Sequence, residues 1–206
     1  MPLVGVQSIS EERLHNAGYR LAMQRERDCA IWFSKVLIHH QVAFATPTQN
    51  VQQDIDIVLD DDATISFKHC EKCRTSGNIS FETRVWSNSY LRWMDGWYKS
   101  GRADWYVFEV AADYYLMNSW RIKQYVLQNG FDEVTPLGKR RKQDNENIKH
   151  DHRDALNGLI KLDKLIHLGL AKKIGTRDDY SRPSQEFLES LFGIAKHRRS
   201  YADTAE

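Results

Sequence analysis

The chain lacks most of the features that mark specialised protein classes. No run approaches the roughly 18 apolar residues that a membrane-spanning helix needs. The opening residues, MPLVGVQSIS, have no basic stretch followed by a long apolar one, so no secretory leader is expected. Three cysteines are an odd and small number for a disulfide framework. The expectation is a cytoplasmic protein with reduced thiols and no membrane partner. Charge of one sign is also missing. The formal net charge of +1 gives no global field, so any nucleic-acid surface has to be a local patch. No internal repeat or low-complexity tract is visible. What remains is ordinary globular material: 206 residues, 41% hydrophobic and 28% charged, with six Trp, nine Tyr and eight Phe. That is enough to bury a real core in one domain with a small appendage.

The most informative stretch runs from Gln49 to Val110. DIDIVL alternates acidic and apolar residues, so Asp54 and Asp56 share one strand face while Ile55 and Ile57 take the other. Two carboxylates on one face repel unless a cation or water compensates. A short acidic turn leads into TISFKH, where Ile65 and Phe67 face one way and Ser66 and Lys68 the other. A hairpin of these two segments brings Asp56 near Lys68. An acid able to hold a divalent cation beside a lysine able to orient water is half of a metal-dependent hydrolytic site. The plainer reading is a cross-strand ion pair on an exposed edge.

GNISFET reads as a third strand, with Ile79 and Phe81 facing a core and Glu82 facing the other way. SNSYLRWMDGWYKSG is an aromatic-rich surface excursion anchored by Trp93, Trp97 and Tyr98. WYVFEV is a fourth strand, apolar enough at WYVF for burial on both faces, and YYLM a fifth. Before these, a helical stripe through Leu21, Ile31, Phe33, Val36 and Leu37 carries Glu26 on its polar side, between Arg25 and Arg27. Taken alone, Glu26 reads as a solvated acid. QVAFATP is a short strand and TQNVQQ a polar connection.

After the sheet, WRIKQYVLQN reads as a helix stopped by Gly130. Lys139, Arg140, Arg141 and Lys142 form a basic run that either contacts phosphates or is a solvated linker. Leucines and isoleucines from Leu156 to Leu168 predict a further helix, and Phe187 to Ile194 a last one with a basic end. HCEKC supplies His69, Cys70 and Cys73, but the second ligand pair of a structural zinc site is missing, so two reduced cysteines are expected.

The order of these motifs resembles the PD-(D/E)XK nuclease superfamily over about Arg25 to Met117. The matching features are a helix with Glu-Arg, DID at a strand end, S-F-K, G-N-x-x-x-E and ADWYVF. The likeness is narrower to small phage-type members with a GN-and-Glu third strand. The resemblance implies a restriction-endonuclease-like α/β core: a mixed four- to five-stranded sheet flanked by helices, over residues 1–135. A basic loop and C-terminal helices would follow over 136–206.

It also implies a phage-encoded, Mg2+- or Mn2+-dependent DNA endonuclease in the host cytoplasm. Asp56 would be the metal acid, Lys68 the water-positioning lysine and Glu26 the helix glutamate. Arg74 and the Lys139–Lys142 run would contact DNA. The first position of the E-x-K element is Ser66, where an acid is expected, and serine is a poor ligand for hard cations. Two expectations follow. Either the acid has moved, with Glu82 its replacement on an adjacent strand, or the site is dead. A dead site would leave a nuclease-fold protein that binds nucleic acid or a host protein. A homodimer is compatible with both.

Overall fold

The computed structural model describes residues 17–37, 40–60, 63–70, 73–87, 90–135, 155–181, 183, 184 and 187. Helix α1 (Ala17–Val36) opens the described chain. Cys29, Ala30, Trp32, Phe33 and Val36 recur at helical spacing and are all buried, so one face of α1 is apolar throughout its second half. Strands β1 (Val42–Phe44), β2 (Ile57–Leu59) and β3 (Ala63–His69) follow. They form an antiparallel meander, with Ile57 opposite Ile65. The expected hairpin is therefore present.

Between β1 and β2, the segment expected to be a polar connection is a helix, α2 (Pro47–Gln53). Its start signal is a complete capping box: Thr46 caps the Gln49 N–H, the Gln49 side chain returns to the Thr46 backbone, and Pro47 occupies the first turn.

The short helix α3 (Cys73–Ser76) leads to β4 (Asn78–Ser87), β5 (Arg92–Asp95) and the helical turn α4 (Trp97–Ser100). Then come β6 (Trp105–Val110), β7 (Asp113–Asn118) and α5 (Ser119–Asn129). Asn118 caps α5 and Gly130 ends it with a positive φ of 74°, as the sequence predicts. The two-residue β8 (Glu133–Val134) precedes β9 (Ala155–Lys161), α6 (Leu162–His167) and β10 (Ala171–Thr176).

Two sheets result. The first has the order β1-β2-β3-β6-β7-β10, with β3 and β6 parallel and the other neighbours antiparallel. The second, β5-β4-β9-β8, is antiparallel throughout. The class is mixed α/β, as expected, with one more sheet than expected. Residues of α1 pack on one face of the first sheet, against Ile57, Ile65, Trp105 and Val107. Residues of the second sheet and α5 pack on the other, where Phe81 and Ile160 meet Tyr106, Phe108 and Met117. The first sheet is thus covered on both sides, which explains the unbroken apolar run in β6.

The expected C-terminal helical extension is not what the chain forms over Ala155–Thr176. This stretch is strand, short helix, strand, and it completes both sheets: β9 pairs with β4, and β10 with β7. Its leucine and isoleucine spacing imitates a helix, yet long-range pairing decides the outcome. Gly158 shows why a strand suits the position. A Cβ there would lie 2.3 Å from the Phe131 ring, so only glycine lets Phe131 lie across β9. The helix expected from Phe187 to Ile194 lies outside the described residues. No described helix is long and apolar enough to cross a membrane.

The cysteines also differ from expectation. Cys70 and Cys73 are joined as a disulfide at the end of β3. The tight turn into α3, in which the Cys73 N–H donates to the Cys70 carbonyl at 3.1 Å, brings the two sulfurs together. Cys29 is a free thiol, fully buried in α1.

Candidate active site

The site is built where α2 ends and β2 begins. Asp54 terminates α2 in the left-handed region, at φ 54° and ψ 45°. Asp tolerates this conformation better than most residues, at a cost of about 1 kcal/mol or more. The reversal turns the Asp54 carboxylate onto β3. There it accepts hydrogen bonds from the Ser66 hydroxyl (2.7 Å) and the Lys68 ammonium (2.8 Å). Gly101 makes room, since a Cβ there would stand 3.3 Å from Asp54 Oδ2 and 2.5 Å from the Trp97 carbonyl.

Asp56, 5% exposed, lies beside this pair. One of its oxygens accepts from Asn50 Nδ2 (2.6 Å) and the other from the Phe67 N–H (2.7 Å). Its own N–H donates to the Ile65 carbonyl at 2.8 Å, which locks the strand end to β3. Lys68 runs under the Trp97 ring, its ammonium 5.0 Å from the ring centre.

Glu26 reaches the same place from α1. Burial, then the nearby Asp56 carboxylate, push its carboxyl up to about 8; Lys68 opposes this and Asp54 adds to it. The neighbouring Arg25 ties α1 to β6. Arg25 contacts the fully buried Glu109 of β6 at 3.4 Å, and the same carboxylate takes Arg177 at 2.9 Å and His69 at 3.0 Å. Asp56 is also shifted upward, chiefly by burial, with Lys68 opposing and Asp54 reinforcing. Burial pulls the Lys68 ammonium down, but Asp54, Asp56 and Glu26 more than offset that, and its pKa ends above the ordinary lysine value. Lys68 is therefore a fixed cation at neutral pH, suited to holding a water or a phosphate oxygen and not to accepting a proton.

Of the residues expected at the site, the structure brings Glu26, Asp56 and Lys68 together. The strand of Glu82 was expected beside β3, but β3 is flanked by β2 and β6, and β4 belongs to the second sheet. The Glu82 backbone and Cγ lie against Gly96. The acid that meets Ser66 is Asp54. The sequence signal for it was the Asp-x-Asp spacing, which put two repelling carboxylates on one face; Lys68 is the compensating cation. Asn50 was missed because its segment was not read as a helix. Arg74 is exposed on α3. Lys139, Arg140, Arg141 and Lys142 lie outside the described residues.

The donors are hard oxygens of the kind that Mg2+ or Mn2+ takes. Burial first, and neighbouring carboxylates after it, raise two of these carboxyls, and a cation among them would favour their ionised forms. Among the described residues, however, no three His, Cys, Asp or Glu side chains converge as a ready metal site. No protein-family model, curated protein or solved structure matches the chain.

Proposed function

We propose that the protein is a divalent-metal-dependent phosphodiesterase acting on DNA, with Asp54 in the role of the acid that Ser66 cannot play. The observation that carries this reading is the grip of Ser66 and Lys68 on Asp54. The serine in the E-x-K position does not leave the site short of a carboxylate; its hydroxyl orients one supplied from the end of α2. Asp54 and Asp56 would hold the cation, with Glu26, whose carboxyl feels both of them, adding negative charge beside it. The cation, when bound, supplies charge neutralisation at the phosphate and a more acidic water.

The chain's own residues do the positioning. Asn50 and the Phe67 N–H orient Asp56. Ser66 orients Asp54. Lys68, beside Asp54, would offer its ammonium to the attacking water or to the charge growing on the phosphate. Trp97 shields that ammonium from solvent.

A second reading, a nuclease-fold protein that binds DNA or a host protein without cutting, is favoured by one observation. Both oxygens of Asp54 and of Asp56 are already occupied by protein donors. Incubation of plasmid and branched DNA with the purified protein and Mg2+ or Mn2+ separates the two. Cleavage that disappears in a folded Asp56→Ala variant is the expected result. A folded protein that cuts neither substrate with either metal leaves the binder.

A further inference from the structure

The β4–β5 hairpin has no role in the site as described, yet its composition is unusual. Trp86 and Trp93 face each other across the two strands, with rings 5.7 Å apart in an edge-to-face contact. Beyond them, Tyr90 is 66% exposed and Leu91 76% exposed, and Met94 is exposed along the edge. Leu91 is itself held in the left-handed region, at φ 49°. The Arg92 guanidinium stacks 5.7 Å from the Tyr90 ring. From Thr83 to Met94 the chain carries two arginines, Arg84 and Arg92, and no acid. Asp95, opposite Arg84 at the base, has Lys99 at 3.7 Å.

The hairpin is continuous with the active site. Gly96 follows β5 directly, and Trp97, the next residue, is the ring over Lys68. Phe81, on β4 at the hairpin's base, packs on Trp97 at 5.8 Å. Beyond the irregularity at Thr83, Trp86 lies on the face of β4 that Phe81 also uses. This follows from their partners on β9: Gly158 stands opposite Phe81, and Leu156 opposite Arg84, two positions before Trp86. The hairpin thus joins the Trp97 ring over Lys68 at its base, and its outer part carries the Trp86–Trp93 pair on one face and Arg92, stacked on Tyr90, on the other.

We propose that this hairpin is a stacking platform for unpaired nucleotides of a DNA strand entering the site. The inference rests on the nuclease reading for the direction of the strand, and it narrows the substrate to DNA with single-stranded character. Exposed rings give bases a sequence-tolerant surface, and Arg92, beside Tyr90, meets the backbone. A flat blunt duplex offers its bases to neither Tyr90 nor the tryptophan pair.

Fluorescence anisotropy in EDTA tests this without any cleavage. The probes are a labelled single-stranded oligodeoxynucleotide and a blunt duplex of the same sequence. The single strand is expected to bind at least about tenfold tighter. Tyr90→Ala and Trp93→Ala should each remove about that much, while Trp93→Phe, which keeps a ring, should retain it. Tyr90 is exposed, so its variant tests the proposal even if a tryptophan variant fails to fold. Equal affinity for the two probes, or an unchanged Tyr90→Ala, overturns the proposal. So does a loss in Tyr90→Ala that is equal for strand and duplex. The two readings fail separately. Cleavage of DNA by a protein with no strand preference sinks the platform and spares the nuclease. Strand binding lost in Tyr90→Ala, in a protein that never cuts, does the reverse.

Discussion

Asp54→Asn is expected to lower metal-dependent cleavage by about a hundredfold or more, while Glu82→Gln changes it by less than about threefold. The contrast follows from placement. The Asp54 carboxylate accepts from both the Ser66 hydroxyl and the Lys68 ammonium. Asparagine keeps the shape and an acceptor for Ser66, but gives a cation no charge and leaves Lys68 without its partner. Glu82 stands on a strand of the other sheet. A second substitution sharpens the test. Ser66→Glu, added to Asp54→Asn, puts an acid at the position where the superfamily pattern expects one, and should recover part of the lost rate. Circular dichroism of each variant checks the fold, since Lys68 is largely buried and its side chain is only 17% exposed.

The second large effect is on stability. With Glu26 raised from 4.5 to about 8, the folded protein keeps a proton that the unfolded chain releases. Between those two values the native state therefore binds more protons. Stability is highest below about pH 4.5 as far as Glu26 is concerned, falls as pH rises through the window, and levels off above about pH 8. Asp56, shifted the same way, adds to the slope. Glu26→Gln removes the Glu26 part. It should stabilise the protein by on the order of 3 kcal/mol above that window and change little below it, partial solvent access being allowed for. Urea denaturation at several pH values reads this directly. Saturating Mg2+ should flatten the wild-type slope, because a cation among these acids favours their ionised forms.

Much of the site is legible in the sequence. Alternation in DIDIVL and TISFKH gives the hairpin, and with it the meeting of Asp56 and Lys68. The apolar run in WYVF gives a strand covered on both faces. Sequence order misleads where spatial neighbours are not chain neighbours. After β3 the chain leaves for the second sheet, and β6 takes the place beside β3 that β4 was expected to fill. Glu82 went with β4.

Asp54 was hidden differently. Asp54 looks like part of a strand, and only the left-handed turn closing α2 aims it at Ser66. That helix was announced by Thr46, Pro47 and Gln49, a capping box short enough to pass for a polar loop. In Ala155–Thr176, local spacing argued for a helix. Pairing of β9 with β4 and β8, through a glycine under the Phe131 ring, settled the matter over a longer range than periodicity can see.

The central claim is that Asp54 and Asp56 hold a divalent cation beside Lys68. Calorimetric titration of Mn2+ into the wild-type protein, Asp54→Asn and Glu82→Gln near neutral pH tests it most directly. The account predicts a saturable site with proton release in the wild type, retained in Glu82→Gln and lost in Asp54→Asn. Absence of binding in the folded wild type, or a site lost in Glu82→Gln and kept in Asp54→Asn, would contradict it.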